Sequence, residues 1–148
     1  MPYESNSREV FALIERAIDD GLRAAGQVLI NAVKEDYHPP EYFTGWANAH
    51  GALTGTLLNS PTMTEPHEDG DGRAIRVGTD YEIAKYWELG FHQRLWVWYD
   101  EKAGRWFSRP GPTRFVRYEV WRPAFLRTLE AQQAAFGRVF GRTMEAGA

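Results

Sequence analysis

The stretch Val77-Gly78-Thr79-Asp80-Tyr81-Glu82-Ile83-Ala84-Lys85-Tyr86-Trp87-Glu88-Leu89-Gly90 says most about this chain. It predicts the end of a strand, a tight turn and then one or two helical turns. Ile83, Tyr86 and Trp87 are spaced to share one face of that short helix. No pattern in the stretch resembles a catalytic centre, so its interpretation is structural.

A hairpin is predicted directly upstream. Ile75 and Val77 alternate with a polar residue, which predicts a half-buried strand over residues 73–78. Thr62–Thr64 begins a second strand. The loop between them, residues 65–72, contains a proline, two glycines and four acids, a composition typical of a turn. We expect this acidic loop to project from the domain as a mobile tip.

A second hairpin, rich in aromatic residues, is predicted downstream at residues 94–109. The β-prone segments Leu95–Tyr99 and Arg105–Phe107 flank a polar turn that ends in glycine. Pro110–Pro112 is predicted to be a loop. A single hairpin is marginally stable alone and needs a surface to pack on.

Helices are predicted at both ends of the chain. Residues 8 to about 36 carry one apolar stripe at helical spacing. Its members are Phe11, Ile14, Ile18, Leu22, Ala25, Leu29 and Val33. Pro123 opens a last helix, with Phe125, Leu129, Phe136 and Phe140 about one or two turns apart. The order of helix, hairpin, short helix, hairpin and helix predicts a single α+β domain over residues 1–148, in which a small antiparallel sheet carries both long helices.

Composition limits the class of protein. At 148 residues the chain fits one domain, and it has no cysteine to form a disulfide or a thiolate metal site. We find no secretory signal and no apolar run long enough to cross a membrane. The aromatic share of 14% fits either a tryptophan-rich core or a subunit that buries a second surface on assembly.

Charge is divided along the chain. From Lys102 onward there are nine basic and three acidic residues, whereas the rest holds eight basic and seventeen acidic ones. Such a division fits a solvated surface, contact with nucleic acid, or packing of the acidic part of one copy against the basic part of the next.

Neither catalysis nor a cofactor is expected. The acidic loop lacks the spacing of a calcium-binding loop. The four histidines, His38, His50, His67 and His92, form no zinc pattern. Ser60 and Ser108 lack a nucleophile elbow, so we predict no catalytic residue, no metal site and no cofactor.

The aromatic hairpin leaves alternatives open. Trp96, Trp98, Trp106 and Phe107 occur together with Arg94, Arg105 and Arg109. Aromatic and arginine side chains are enriched in protein interfaces, and the same combination stacks single-stranded nucleic acid. The hairpin is therefore predicted to be an interface, a cover over the core, or a nucleic-acid platform.

Four blocks, in this order, resemble the neck or tail-component family of long-tailed bacteriophages, which includes head–tail joining and tail-completion proteins. They are Thr54–Ser60, Val77–Thr79, Ala84–Gly90 and Arg122–Leu126. The chain departs from the family pattern at Ile83, where the family often has tyrosine. Residues 92–120 vary within the family, so no contact is carried over there.

The resemblance implies a structural virion protein rather than an enzyme. It implies a homo-oligomeric ring, of six copies in such tails, around a channel through which DNA passes without sequence-specific contact. Neighbouring neck and tail proteins would be its partners, and it would assemble in the host cytoplasm without a membrane. The expected subunit-interface residues are Glu65, Glu68, Asp69 and Asp71 in the acidic loop and Trp96, Trp98, Arg105, Trp106 and Phe107 in the hairpin. The alternative is a nucleic-acid-binding phage accessory protein that uses the basic C-terminal part.

Overall fold

The computed structural model describes residues 6–37, 56–117 and 119–147. It confirms the predicted α+β class. The elements are α1 (Ser7–Asp36), α2 (Thr56–Asn59), β1 (Thr62–Met63), β2 (His67–Asp69), β3 (Gly72–Ala74), β4 (Val77–Gly78), α3 (Glu82–Leu89), β5 (Phe91–Asp100), β6 (Arg105–Val116), α4 (Trp121–Arg127) and α5 (Leu129–Gly147). Within the described residues, the strands form three two-stranded antiparallel ladders rather than one sheet.

The chain divides into two compact units, and each is discontinuous in sequence. The first unit contains residues 1–31, 62–78 and 126–148, and the second contains residues 32–61 and 79–125. The sequence predicts one domain and gives no sign of this division, because no linker composition marks it. The first two residues of the block Thr54–Ser60 lie outside the described residues, and Thr56–Asn59 of that block form α2.

In the first unit, two glycines of α1 allow side chains of α5 and of the first hairpin to pack closely against this helix. A Cβ atom at Gly21 would lie 2.6 Å from the ring of Phe136 in α5. A Cβ atom at Gly26 would lie 2.6 Å from Ile75 Cδ1 and 2.9 Å from Met63 Sδ. The predicted helix is confirmed, and Leu29 and Val33 of its apolar stripe are buried, whereas Phe11 of the stripe is 67% exposed and the fully buried Ala17 is not a stripe residue.

The first hairpin is one structure with a bulge. β1 pairs with β4 and β2 pairs with β3, and the N–H of Thr64 donates to the carbonyl oxygen of Arg76 at 2.9 Å. Between the two ladders, Glu65 and Pro66 lie opposite Ile75 alone, which is the pattern of a β-bulge. Proline is tolerated there because a bulged residue needs no ladder partner.

The last helix is interrupted, contrary to the prediction of a single helix from Pro123. α4 ends at Arg127 and α5 begins at Leu129. Thr128 lies at the break, and its hydroxyl accepts a hydrogen bond from the Gln132 side chain at 2.9 Å while its carbonyl accepts the Gln132 N–H at 2.8 Å. Threonine is a preferred N-cap residue, so the chain restarts as a new helix at this point.

In the second unit, β5 and β6 form a hairpin that is longer than predicted. Pairing runs from Phe91 and Val116 to Asp100 and Arg105. The prediction of a loop at Pro110–Pro112 is wrong, because β6 continues through it with residues 111–113 bulged opposite one residue of β5. A two-stranded ladder consists of edge strands only, where proline is tolerated.

The short helix α3 is confirmed, but it faces differently from the prediction. Ala84 is 1% exposed, whereas Tyr86 is 49% exposed. Residues two positions apart on a helix lie on nearly opposite sides of it, so the burial of Ala84 turns Tyr86 outward.

No helix of the described chain is both long and apolar enough to cross a membrane.

Candidate subunit interface

The end of the aromatic hairpin presents aromatic groups to solvent. Tyr99 and Trp106 are cross-strand partners, with ring centroids 5.3 Å apart and planes tilted by 59°. They are 46% and 41% exposed. A tilted pair on a two-stranded ladder adds rigidity to the hairpin while the exposed part of each ring stays available for contact.

Next to this pair, Arg105 and Phe107 of β6 form a cation–π contact. The guanidinium of Arg105 lies 4.6 Å from the centre of the Phe107 ring, a cation–π geometry. Asp100 orders the turn, because its carboxylate accepts the N–H groups of Lys102 at 2.9 Å and Ala103 at 3.1 Å. Three predicted interface residues, Arg105, Trp106 and Phe107, therefore lie together at one end of the hairpin.

The two other tryptophans of the predicted interface are placed by their backbone only. Trp96 pairs with Arg109 and Trp98 pairs with Phe107 in the register of β5 and β6. Their side chains lie outside the described part of the structure, so their participation in an interface stays a prediction.

The acidic loop of the prediction is the end of the first hairpin. Asp69 and Gly72 are paired, and the turn between them consists of Gly70 and Asp71. Gly70 has a φ of 60°, which a type II′ turn requires at its first central position and which favours glycine. The turn is therefore narrow, and Glu68, Asp69 and Asp71 around it are exposed.

Glu65 is bound within its own chain, unlike the other acids of the loop. Its carboxylate accepts both Nε and Nη2 of Arg23, at 3.2 and 2.8 Å, although its side chain is 85% exposed. The same guanidinium donates to Asp20 at 3.0 Å. The hydrogen bond to Glu65 raises the pKa of Arg23. An exposed pair of this kind contributes little to stability, so Glu65 remains accessible to another partner.

The body of the first hairpin is attached to α1 by a stronger pair. Arg73 on β3 donates to both carboxylate oxygens of Asp19, with Nη2 to Oδ2 at 2.7 Å. This bidentate arrangement raises the pKa of Arg73 and fixes the orientation of both side chains. Glu68 is the cross-strand partner of Arg73, but the guanidinium is occupied by Asp19.

A second exposed apolar area, at the base of the aromatic hairpin, was not predicted. Leu89 and Phe115 are 64% and 56% exposed. The Phe115 ring lies 5.4 Å from that of His92 and also lies over Gly90, where a Cβ atom would clash with it. Gly90 has a φ of 84°, so glycine serves both the close approach and the backbone conformation. The Leu-Gly pair that ends α3 was the sequence signal for this arrangement.

Several residues assigned to the core by their spacing are exposed instead. Phe11 is 67% exposed, Phe125 43% and Leu129 39%, and Leu126 beside them is 59% exposed. A group of exposed apolar side chains marks an interaction surface more often than an isolated exposed side chain does.

A buried tyrosine supports the second unit. Tyr37, directly after α1, is 6% exposed, and its hydroxyl oxygen accepts the Trp121 Nε1–H at 2.8 Å. The pKa of Tyr37 is raised to about 12. Burial is the largest cause of this rise; the hydrogen bond from Trp121 acts in the opposite direction, and the charge of Glu88 adds to the rise. Trp121 begins α4, so this contact joins the residue that follows α1 to the first residue of α4.

Within residues 6–37, 56–117 and 119–147, no three histidine or acidic side chains are grouped so that they could hold a metal ion. His38 and His50 lie outside that part of the chain. Comparison of the chain with protein-family models, with curated proteins and with solved structures found no match.

Proposed function

We propose that this chain is a structural subunit of the neck or tail of a long-tailed bacteriophage. Copies would form a ring around the DNA channel and join the tail to the head. The observation that carries the proposal is the aromatic hairpin, whose Tyr99 and Trp106 rings contact each other and yet are 46% and 41% exposed. A hairpin of this kind is suited to bury its rings against another protein.

The number of exposed apolar residues supports the same function. Among the described residues, ten large hydrophobic side chains are exposed, and the largest fully buried side chains are only Val33 and Val120. A subunit with this distribution leaves much of its apolar surface for a partner. Repeated heterologous contacts between identical subunits close into a ring when the rotation allows.

The resemblance gains physical support from one side chain. Glu88 belongs to the block Ala84–Gly90, and its carboxylate accepts the backbone N–H groups of Val120 and Trp121, next to the block Arg122–Leu126. Two blocks that are about thirty residues apart in the sequence thus support each other in the fold. This explains why a subunit of this kind would carry both.

Negative charge fits a channel for DNA. Before Lys102 the chain holds seventeen acidic and eight basic residues, so acids remain besides those of the hairpin tip, Glu68–Asp71. Acids that face the lumen would repel phosphate, and DNA would pass without the persistent contacts that basic residues make.

Electron microscopy of lysates from a phage that lacks this gene tests the proposal. Full heads with separate tails would support a role in joining tail to head. Heads without tails, or with overlong tails, would move the role to tail assembly or length termination. Normal infectious particles would overturn the structural function. Restoration by the gene supplied in trans is the control.

One observation favours the alternative of nucleic-acid binding. Arg105 lies over the Phe107 ring on one face of the hairpin, and the exposed Tyr99 and Trp106 rings lie on the other face; arginine and aromatic groups of this kind occur in single-strand-binding proteins. The test is a DNA mobility shift with the purified chain at several salt concentrations. A shift that weakens with salt and is lost when Arg105 and Arg109 are changed to glutamine would support it, whereas no shift at low salt would reject it.

A further inference from the structure

A groove in the first unit lies between the beginning of α1 and the end of α5. It has a volume of about 370 Å³ and is lined by Leu13, Arg16, Arg142, Thr143, Ala146 and Gly147. Leu13 lies against Gly147 so closely that no Cβ atom would fit there. The groove thus joins an apolar floor to two guanidinium groups.

The two arginines have no ion pair with a described residue of their own chain, and both are exposed. Two nearby acids of α1, Asp19 and Asp20, have other partners. Asp20 accepts Arg23 at 3.0 Å and the Thr143 hydroxyl at 3.0 Å, and Asp19 is held by Arg73. The groove therefore offers uncompensated positive charge to a carboxylate from outside.

The same unit carries a protrusion of opposite charge. The two-residue turn at Gly70 makes the tip of the first hairpin narrow. The carboxylates of Asp69 and Asp71 have no ion pair or hydrogen bond within the described chain, and Asp19 occupies the guanidinium of Arg73, the cross-strand partner of Glu68. A narrow acidic tip and an arginine-lined groove, each without a partner in one copy, are complementary between two copies.

We propose that the hairpin tip, Glu68–Asp71, of one copy docks in the Arg16–Arg142 groove of the next copy. This contact rests on the proposed ring, for which it supplies a subunit interface. Because the tip and the groove are different surfaces, the contact is heterologous and propagates from copy to copy until the ring closes. Complementary charges at such an interface fix the register and speed association.

Disulfide trapping tests this contact directly, because the chain has no cysteine of its own. One chain carries Gly72→Cys at the tip, where a Cβ atom would meet nothing closer than the Asp69 carbonyl at 3.8 Å. The other carries Ala146→Cys in the groove. The two purified chains are mixed, oxidised and separated without reductant. We expect a mixed dimer of twice 17.0 kDa, and this trap captures even weak association.

Reversing the charges tests whether formation of the mixed dimer depends on the opposite charges of the tip and the groove. Adding Arg16→Glu and Arg142→Glu to the groove chain is expected to reduce the mixed dimer about tenfold, the effect of about 1.4 kcal/mol. Adding Asp69→Arg and Asp71→Arg to the tip chain is expected to restore it. The matched control replaces the tip chain with one that carries Asp80→Cys, an exposed acid outside the hairpin.

Equal trapping with the Asp80→Cys chain, or trapping that ignores charge reversal, would overturn the contact. Its failure is separable from failure of the proposed function. No trapping together with unjoined heads and tails would reject this contact and keep the ring protein. Specific trapping together with normal particles from a phage that lacks the gene would keep the contact and reject the role in the virion.

Discussion

One carboxylate oxygen of Glu88 accepts the backbone N–H of Trp121 at 3.0 Å and also that of Val120 at 2.7 Å. The first N–H groups of a helix have no partner within the helix, and here a side chain 33 residues upstream supplies one. The negative charge also lies at the positive end of α4. Arg117 donates to the carbonyl oxygen of Glu88 at 2.9 Å, so both ends of this residue are engaged.

Removal of this cap should destabilise the second unit. We expect Glu88→Ala to lower the free energy of unfolding by about 2–3 kcal/mol, because two partly buried N–H groups lose a charged acceptor. Glu88→Gln keeps an oxygen acceptor and should cost about 1 kcal/mol. Urea unfolding followed by tryptophan fluorescence measures both values.

The control for this change lies on the same helix. Glu82 is exposed and makes one long hydrogen bond, 3.4 Å from the Tyr86 hydroxyl. Glu82→Ala should change the free energy of unfolding by less than about 0.5 kcal/mol. Equal effects of Glu88→Ala and Glu82→Ala would contradict the importance of the cap.

Tyr37 should make the stability depend on pH in alkaline solution. Its pKa is raised from 10.0 to about 12, so between these values the unfolded chain loses a proton that the folded chain keeps. The free energy of unfolding therefore falls as pH rises through this interval, and the contribution is fully present below pH 10. At about 1.4 kcal/mol per unit, the loss is at most about 3 kcal/mol.

Tyr37→Phe isolates this contribution. The variant loses the acceptor for Trp121 Nε1–H and should be less stable at neutral pH by about 1 kcal/mol. Its stability should then fall less steeply above pH 10 than that of the unchanged chain, since the other tyrosines ionise in both proteins. Parallel curves of unfolding free energy against pH would show that Tyr37 ionises normally.

Two glycines in helices should respond to alanine with opposite signs. A Cβ atom at Gly21 would lie 2.6 Å from Phe136, whereas one at Gly137 would meet nothing within 4 Å. Alanine favours a helix by up to about 1 kcal/mol over glycine, but overpacking costs about 1–3 kcal/mol. Gly21→Ala should therefore lower the melting temperature and Gly137→Ala should raise it, as calorimetry would show.

A double variant tests whether the loss of stability in Gly21→Ala comes from contact with the Phe136 ring. Phe136→Leu combined with Gly21→Ala makes room at the contact and should recover part of the loss, while Phe136→Leu alone should only destabilise. An additive loss in the double variant would mean that the methyl group and the ring do not compete for the same space.

Local patterns in the sequence were sufficient where one side chain decides the structure. The alternation of Ile75 and Val77 predicts one strand over residues 73–78; the structure divides it into β3 and β4 with Ile75 between them, and both side chains lie against Gly26 of α1. Helical spacing predicts α1, and Phe136 and Phe140 stack at 5.9 Å on α5 as their spacing implies. The glycines of the two hairpin turns, Gly70 and Gly104, have the positive φ that such turns need.

Features that depend on distant partners were not predictable. Nothing near Glu88 in the sequence reveals that it caps α4. Thr128 and Glu130 are an N-cap signal, but the phenylalanine spacing across them favoured one continuous helix. Phe11 fits the apolar stripe and is nevertheless exposed, because spacing predicts which residues share a face and not how far the partner surface extends. In the candidate interface, the acids and aromatic residues were predicted by composition, whereas the arginine-lined groove was not.

The register of the aromatic hairpin allows a clean test of its role in assembly. Gln93 and Arg114 are paired, so replacing residues 94–113 with Asn-Gly closes the shortened strands with a favoured two-residue turn. We expect the variant to keep its helical circular dichroism but to fail to join heads to tails when it is supplied to a phage that lacks the gene. A cut at residues 94–107 would instead leave residues 108–113 without a paired strand.

The matched control shortens only the turn. Asp100 and Arg105 are also paired, so Asn-Gly in place of residues 101–104 preserves the Tyr99–Trp106 and Arg105–Phe107 contacts. This variant should support particle assembly. If the protein without residues 94–113 also supports it, the exposed Tyr99 and Trp106 rings do not form the subunit interface, and contact between copies would have to rest on other surfaces, such as the hairpin tip and groove of the first unit.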